Sequence, residues 1–150
     1  MDEARSENDR RVVTVVHIAM LAAVPVYGAT LWLIREMAKR AAGAVSDRRL
    51  AWVLLAIGAA QYLAVTVFGR ALLYSRRGNA RDRVRSYFLI RFAAGEAIAL
   101  FGLVAGLSGA PWGQAAALLA VAILALVHAA PTRNAYGTAL ALTERRESRV

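Results

Sequence analysis

The sequence predicts an all-α, polytopic membrane protein with four transmembrane helices arranged as two antiparallel hairpins. The chain has 150 residues, of which 59% are hydrophobic, above the roughly 45–50% of soluble domains. Residues 97–132 form a run of 36 residues without a single charge, long enough for two membrane crossings and a turn. Because backbone polar groups in lipid must bond within their own segment, we expect the apolar segments to be helices.

Each apolar segment can cross about 30 Å of hydrocarbon at about 1.5 Å per residue. The predicted spans are residues 12–34, 50–69, 87–107 and 112–130. A polar N-terminal segment, 1–11, precedes them, and we interpret the first span as an uncleaved helix because its apolar run is too long for a signal peptide. Pro131 is expected to end the fourth helix, which leaves 131–150 as a polar C-terminal tail.

The basic residues predict the orientation and exclude several classes of function. A net charge of +9 would suit nucleic acid, but Lys and Arg flank the apolar runs, which favours an anionic bilayer surface and no nucleic-acid partner. Four spans place 14 basic residues on one side and 5 on the other, so both termini are predicted to be cytoplasmic, in the inner membrane. The Lys and Arg residues that flank the first helix, counted alone, favour the opposite orientation. The absence of cysteine excludes disulfides and thiolate metal sites.

Glu96 is the principal candidate for an ion-binding residue. It lies about halfway along the third span, where a charge costs at least a few kcal/mol. Because burial favours the neutral form of a carboxyl group, we expect Glu96 to be protonated or paired with a cation. Gln61 is its predicted partner, since an antiparallel hairpin of spans two and three puts both at similar depth. Gln61 could complete a sodium shell, bond a protonated acid, or simply join two helices.

Small residues on the third span predict a close helix–helix contact. They share one face and comprise Gly95, Ala99, Gly102 and Gly106. Glu96 stands about a quarter turn from that face. The acid is therefore expected beside a tight packing seam, either within the chain or between subunits.

Three other polar residues lie near the predicted inner ends of the spans. Arg91 is five positions from Glu96 and on a different face, so we expect it to reach the membrane surface rather than form an ion pair. His17 and His128 could share a metal or pass protons, but no acid or cysteine lies near them in sequence. We therefore predict no metal site and no cofactor.

The segment "GEAIALFGLVAGL", Gly95–Leu107, resembles the carboxylate helix of the rotary ATPase proteolipid, or c subunit, family. In that family Gly follows the membrane-embedded acid by six positions, a spacing that Glu96 and Gly102 keep. Ala22–Gly28, "AAVPVYG", is similar to the same pattern with Ala22 in place of the acid. The resemblance implies that Glu96 binds the ion and that Gln61 is a coordinating neighbour. Unlike the family, the second span lacks a Gly-x-Gly-x-Gly repeat.

Three functions remain open from the sequence. The first is a proteolipid-like protein that binds a proton or Na⁺ at Glu96, as a subunit of a larger membrane complex or a self-associating chain. The second is a structural or assembly subunit in which protonated Glu96 locks a hairpin. The third, a membrane enzyme, has the least support, because HExxH, GxSxG and phosphate-cradling loops are all absent from the sequence. We therefore predict that the chain is not an enzyme.

Overall fold

The structure is a computed structural model that describes residues 2–38, 48–74 and 79–147, and all its regular secondary structure in these ranges is helical. The helices, in chain order, are α1 (Asp2–Ala38), α2 (Arg48–Leu73), α3 (Ala80–Leu107), α4 (Trp112–His128) and α5 (Arg133–Glu147). The predicted all-α class is confirmed. Helices α1 and α3 begin well before the predicted apolar spans, because polar first turns extend both.

Three helices are long and apolar enough to cross a membrane, namely α1, α2 and α3. Helix α4 has 17 residues, about 25 Å at 1.5 Å per residue, and is short of a full crossing by itself. Together α4 and α5 pass the same test as one broken span, bent by 61° between them. The described ranges thus contain three such helices, or four spans if the bent pair counts as one. These long apolar helices are compatible with a multi-pass membrane protein.

Helix α3 is the centre of the bundle, with α1, α2, α4 and α5 all packed on it. Half of its most apolar window is buried, against 17% for α1 and 11% for α2. Within the described ranges α1 and α2 make no extended contact with each other. The first of the two predicted hairpins is therefore not a packed pair, because α2 packs on α3 instead.

The outer surface of the bundle is apolar. Large hydrophobic side chains on α1, α2 and α4 are more than half exposed, among them Val15, Trp32, Leu63, Phe68 and Leu124. In water such a continuous surface would promote aggregation, whereas lipid chains solvate it. Small residues of α3, among them Gly95, Ala99, Gly102 and Gly106, are buried at its helix contacts, as is typical of membrane helices.

The turn between α3 and α4 has the geometry that its sequence favours. Gly109 adopts a left-handed backbone conformation with φ 85°, which a glycine reaches without strain. The amide of Ala110 then donates to the carbonyl of Ala105 at 3.0 Å, which completes a Schellman ending for α3. Pro111 follows and precedes the first residue of α4, so the turn expected within the uncharged run 97–132 is present.

The C-terminal segment is more ordered than a polar tail. Residues 133–147 form α5, which packs against α3. Tyr136 is buried and stacks on Phe88 with ring centroids 5.8 Å apart and an interplanar angle of 15°. Thr132 caps the helix, since its hydroxyl oxygen accepts from the amide of Ala135 at 3.2 Å. This helix extends the bundle at the end where α2 finishes and α3 begins.

Candidate functional site

Glu96 lies at the seam between α1 and α3 and is half-buried. Its Oε1 atom accepts a hydrogen bond from the hydroxyl group of Tyr27, which joins the two helices. Its Oε2 atom is buried and has no hydrogen-bond partner within the described part of the chain. The carboxyl group thus has one satisfied oxygen and one unsatisfied oxygen, in an apolar setting where either a proton or a cation would be stabilising.

Helix α1 runs parallel to α3, and two contacts define their register. The ring of His17 lies 4.8 Å from that of Phe92, and Leu31 packs against Gly106, so both pairs have the same offset in sequence. By this register the backbone of Tyr27 stands beyond Glu96 toward the C-terminal end of α3. Because helical side chains point back toward the N-terminus, the tyrosine ring reaches down to the carboxyl group.

The structure does not bring Gln61 to Glu96. Helix α2 contacts α3 through Gly58, which faces Ile98 and Phe101, and through Gly69, which faces Tyr87. That antiparallel register places Gln61 at about the height of Glu96, as the sequence predicts. The face differs.

Tyr87, Ile98 and Phe101 lie about half a helical turn from Glu96, at 3.6 residues per turn. The side of α3 that bears Glu96 therefore faces α1 and not α2. The common depth of Gln61 and Glu96 could be predicted from the hairpin topology. Which helix the Glu96 side of α3 faces depended instead on which helices pack together.

The small-residue stripe is buried inside the chain and contacts two helices. A Cβ atom at Gly95 would lie 2.8 Å from Leu126 Cγ, and one at Gly102 would lie 3.1 Å from Leu118 Cβ, both on α4. Gly106 instead faces Leu31 of α1 at 2.5 Å. Ala99, between them, is fully buried. The seam is thus internal, and Glu96 stands beside it as the helical spacing predicts.

Arg91, which was expected to reach the membrane surface, is buried among other side chains, with 8% of the residue exposed. Its guanidinium donates to the hydroxyl of Tyr87 and to the backbone carbonyl of His128, both at 3.2 Å. The second bond satisfies a carbonyl at the C-terminal end of α4, where a cation also complements the helix dipole. Its Nε atom is buried and makes no hydrogen bond with the residues that the structure describes.

The two histidines do not form a metal site together. His17 is buried against Phe92, and its Nδ1 has no hydrogen-bond partner in the described ranges. His128 is exposed and takes part through its backbone carbonyl. Among the described residues, no group of three or more His, Cys, Asp or Glu is placed to hold a metal ion.

A cavity of about 430 Å³ lies at the end of the bundle where α2, α3 and α5 meet. Its lining combines cationic, aromatic and apolar side chains, notably Arg70, Leu73, Tyr87, Phe88, Arg91 and Leu142. Sequence reasoning did not identify this cavity. It depends on α5, whose apolar positions Tyr136, Ala139 and Leu140 follow a helical spacing that would have indicated the element.

Sequence reasoning also missed Tyr27 as the partner of Glu96. A tyrosine within a long uncharged span needs a partner for its hydroxyl group, and a buried acid at similar depth can supply one.

No family model, curated protein or solved structure matches the chain.

Proposed function

We propose that the protein is a multi-pass protein of the cytoplasmic membrane that binds and releases a proton at Glu96, as part of a larger membrane assembly. The observation that carries the proposal is the Tyr27–Glu96 hydrogen bond, with the second carboxyl oxygen buried and unsatisfied. Ionisable residues inside a membrane are rare, and each is by default a candidate for an ion or substrate site. The sequence resemblance to the proteolipid carboxylate helix supports the same role.

A proton fits this site better than Na⁺. A dehydrated alkali cation needs several oxygen ligands to replace its water shell. The side-chain oxygen that reaches Glu96 in the described ranges is that of Tyr27, while Gln61 faces another side of α3. Since the ion pairs found among the described residues also leave Glu96 out, a proton is the simplest means of neutralising the carboxylate.

The surroundings of Glu96 favour exchange with a partner rather than permanent enclosure. On the adjoining flank of α3, Ala93, Leu100 and Val104 are exposed. The carboxyl group therefore borders the outward surface of the bundle, where another membrane subunit or a second copy can approach. In this proposal both termini are cytoplasmic, as the distribution of Lys and Arg predicts.

A structural or assembly role is the second candidate, and the same bond favours it. Tyr27 and Glu96 join α1 to α3, and α1 has no extended contact with α2 within the described ranges. An interhelical hydrogen bond in a membrane contributes about 0.6 kcal/mol on average. In that case Glu96 stays protonated under all conditions and serves α1–α3 packing only.

Carbodiimide labelling in mild detergent separates the two candidates, because the reagent reacts with protonated carboxyl groups in apolar surroundings. We expect a single modification on Glu96, located by peptide mass spectrometry, with a rate that falls as the pH is raised. Na⁺ at constant ionic strength should leave the rate unchanged. A rate that is the same at acid and alkaline pH would overturn the exchange of a proton and support the structural role.

Two variants control this experiment. Glu96→Gln should abolish labelling while its amide oxygen still accepts from Tyr27, so the fold is retained. Tyr27→Phe removes the hydrogen bond but leaves the carboxyl group, and labelling should persist. If Na⁺ protects Glu96 from the reagent, the proposed ion is wrong although the site is right.

A further inference from the structure

We propose that the cavity between α2, α3 and α5 binds a phosphate-bearing anion, and that a membrane phospholipid headgroup is its source. The cavity is separate from Glu96 and independent of the proton site. Its volume of about 430 Å³ is in the range of small-molecule sites.

The charge in this cavity is positive and uncompensated. Arg91 lines it and is more than nine-tenths buried, and Arg70 provides a second cation from α2. None of the described residues that line the cavity is acidic. A buried guanidinium without a counter-charge is destabilising, and an anionic ligand supplies the missing charge.

The hydrogen bonds of Arg91 leave some of its N–H donors available to a ligand. Nη1 donates to Tyr87 and Nη2 to the carbonyl of His128, both at 3.2 Å, so neither contact is to a charged group. A guanidinium has five N–H donors in a planar fork that matches phosphate oxygens. These two bonds hold the side chain in place, while its remaining donors are not used by the described residues.

The α5 helix adds a second favourable feature. Asn134 and Ala135, in its first turn, line the cavity, so the positive end of the helix dipole lies beside the two arginines. Polar groups that bond phosphate oxygens are also present, since the side chains of Asn134 and Thr138 belong to the lining.

Apolar side chains indicate a lipid rather than a small soluble anion. Leu73, Phe88 and Leu142 line the same cavity, and Leu142 is 42% exposed, so the cavity reaches the outer surface. A phosphate bound by the arginines would thus have room for an acyl chain beside it. Arg70 near the end of α2 and Arg81 in the first turn of α3 also lie at this end of the bundle, where anionic headgroups would meet them.

Native mass spectrometry of the full chain in mild detergent tests the proposal. Phosphatidylglycerol, which is anionic, and phosphatidylcholine, which is zwitterionic, are added in separate titrations, and inorganic phosphate is added in a third. We expect one phosphatidylglycerol molecule to bind with clear preference over phosphatidylcholine. Binding of phosphatidylglycerol but not of inorganic phosphate identifies the lipid as the source. Binding of inorganic phosphate alone identifies a soluble phosphate compound and overturns the lipid assignment.

Arg70→Gln is the decisive variant because Arg70 is exposed and its loss leaves the packing intact. Affinity for phosphatidylglycerol should fall about tenfold, as expected for one charge-assisted hydrogen bond. Arg85→Gln is the matched control, since Arg85 is an exposed arginine outside the cavity lining, and it should bind as the wild type does. Equal affinities for wild type, Arg70→Gln and Arg85→Gln would overturn the proposal. Arg91→Lys, which keeps the charge without the fork, should also weaken binding.

Discussion

Gly106 of α3 packs directly against Leu31 of α1, so closely that a Cβ atom on Gly106 would lie 2.5 Å from Leu31 Cδ2. Leu31 is itself 1% exposed, which restricts its freedom to move aside. This contact fixes the distance between the two helices that also carry Tyr27 and Glu96. The Tyr27–Glu96 hydrogen bond therefore depends on a position where glycine is required for space rather than for backbone conformation.

Gly106→Ala should lower the free energy of unfolding by about 1–2 kcal/mol. Overpacking costs about 1–3 kcal/mol, and the better helix propensity of alanine offsets up to about 1 kcal/mol. Thermal unfolding in mild detergent, followed by circular dichroism, measures the change. Gly28→Ala is the control, because its Cβ would meet Leu119 at an ordinary 3.6 Å, and stability should stay equal or rise. The double variant Leu31→Ala/Gly106→Ala should lose less than the sum of the two single variants.

Arg35 and Trp112 should show a favourable coupling in a double-mutant cycle. Arg35 donates to the carbonyl of Ala110, and its guanidinium carbon lies 5.8 Å from the centroid of the Trp112 ring. Cation–π contacts at partly exposed sites are worth about 0.5–1 kcal/mol. We expect a coupling of that size from the unfolding of Arg35→Ala, Trp112→Leu and the double variant. Strict additivity would show that the ring contact contributes nothing.

Tyr136→Phe should be at least as stable as the wild type, while Tyr136→Ala should lose about 3 kcal/mol or more. The ring is 3% exposed and stacked on Phe88, whereas its hydroxyl has no hydrogen-bond partner in the described chain. Removing an unsatisfied buried hydroxyl relieves a penalty, and removing the ring opens a cavity. Hydrogen exchange of the α5 amides provides the measurement. A clear loss of protection in Tyr136→Phe would reveal a partner for the hydroxyl.

Asn79→Ala should destabilise the start of α3 by about 1 kcal/mol. The side chain of Asn79 accepts a hydrogen bond from the amide of Asp82 at 2.9 Å, which satisfies one of the free donors of the first turn. Asn79→Asp retains the acceptor and adds a charge that suits the helix N-terminus, so it should match the wild type. Thermal unfolding of the two variants side by side tests this, and equal losses in both would contradict capping by the side chain.

The helices could be predicted largely from composition. The uncharged run 97–132 predicted two helices with a turn, and the structure has the C-terminal part of α3, the Gly109 turn and α4 within it. Helix pairing could not be predicted in the same way. Chain order suggested that α1 pairs with α2, but the glycines that permit close approach are concentrated on α3, and α3 became the centre of the bundle.

The depth of Glu96 in the bundle could be predicted from the sequence, but the helix that its side chain contacts could not. Glu96 was identified because a carboxyl group in an apolar span is unusual, and its height matches that of Gln61. Its partner depended on the face of α3 that α1 occupies, which the sequence pattern alone does not encode. The burial of Arg91 against the end of α4 was not predicted for a related reason, since it required knowing where α4 ends relative to α3.

The central position of α3 also constrains how the protein is made. On insertion into a bilayer, α1 and α2 would enter first, and within the described chain they make no extended contact with one another. Although the chain joins them, they would have no stable packed arrangement until α3 emerges from the ribosome and packs against both. A translation pause placed after α3 should therefore yield specific cross-links of α3 to both α1 and α2. A pause after α2 should leave α1 and α2 without a specific packing contact.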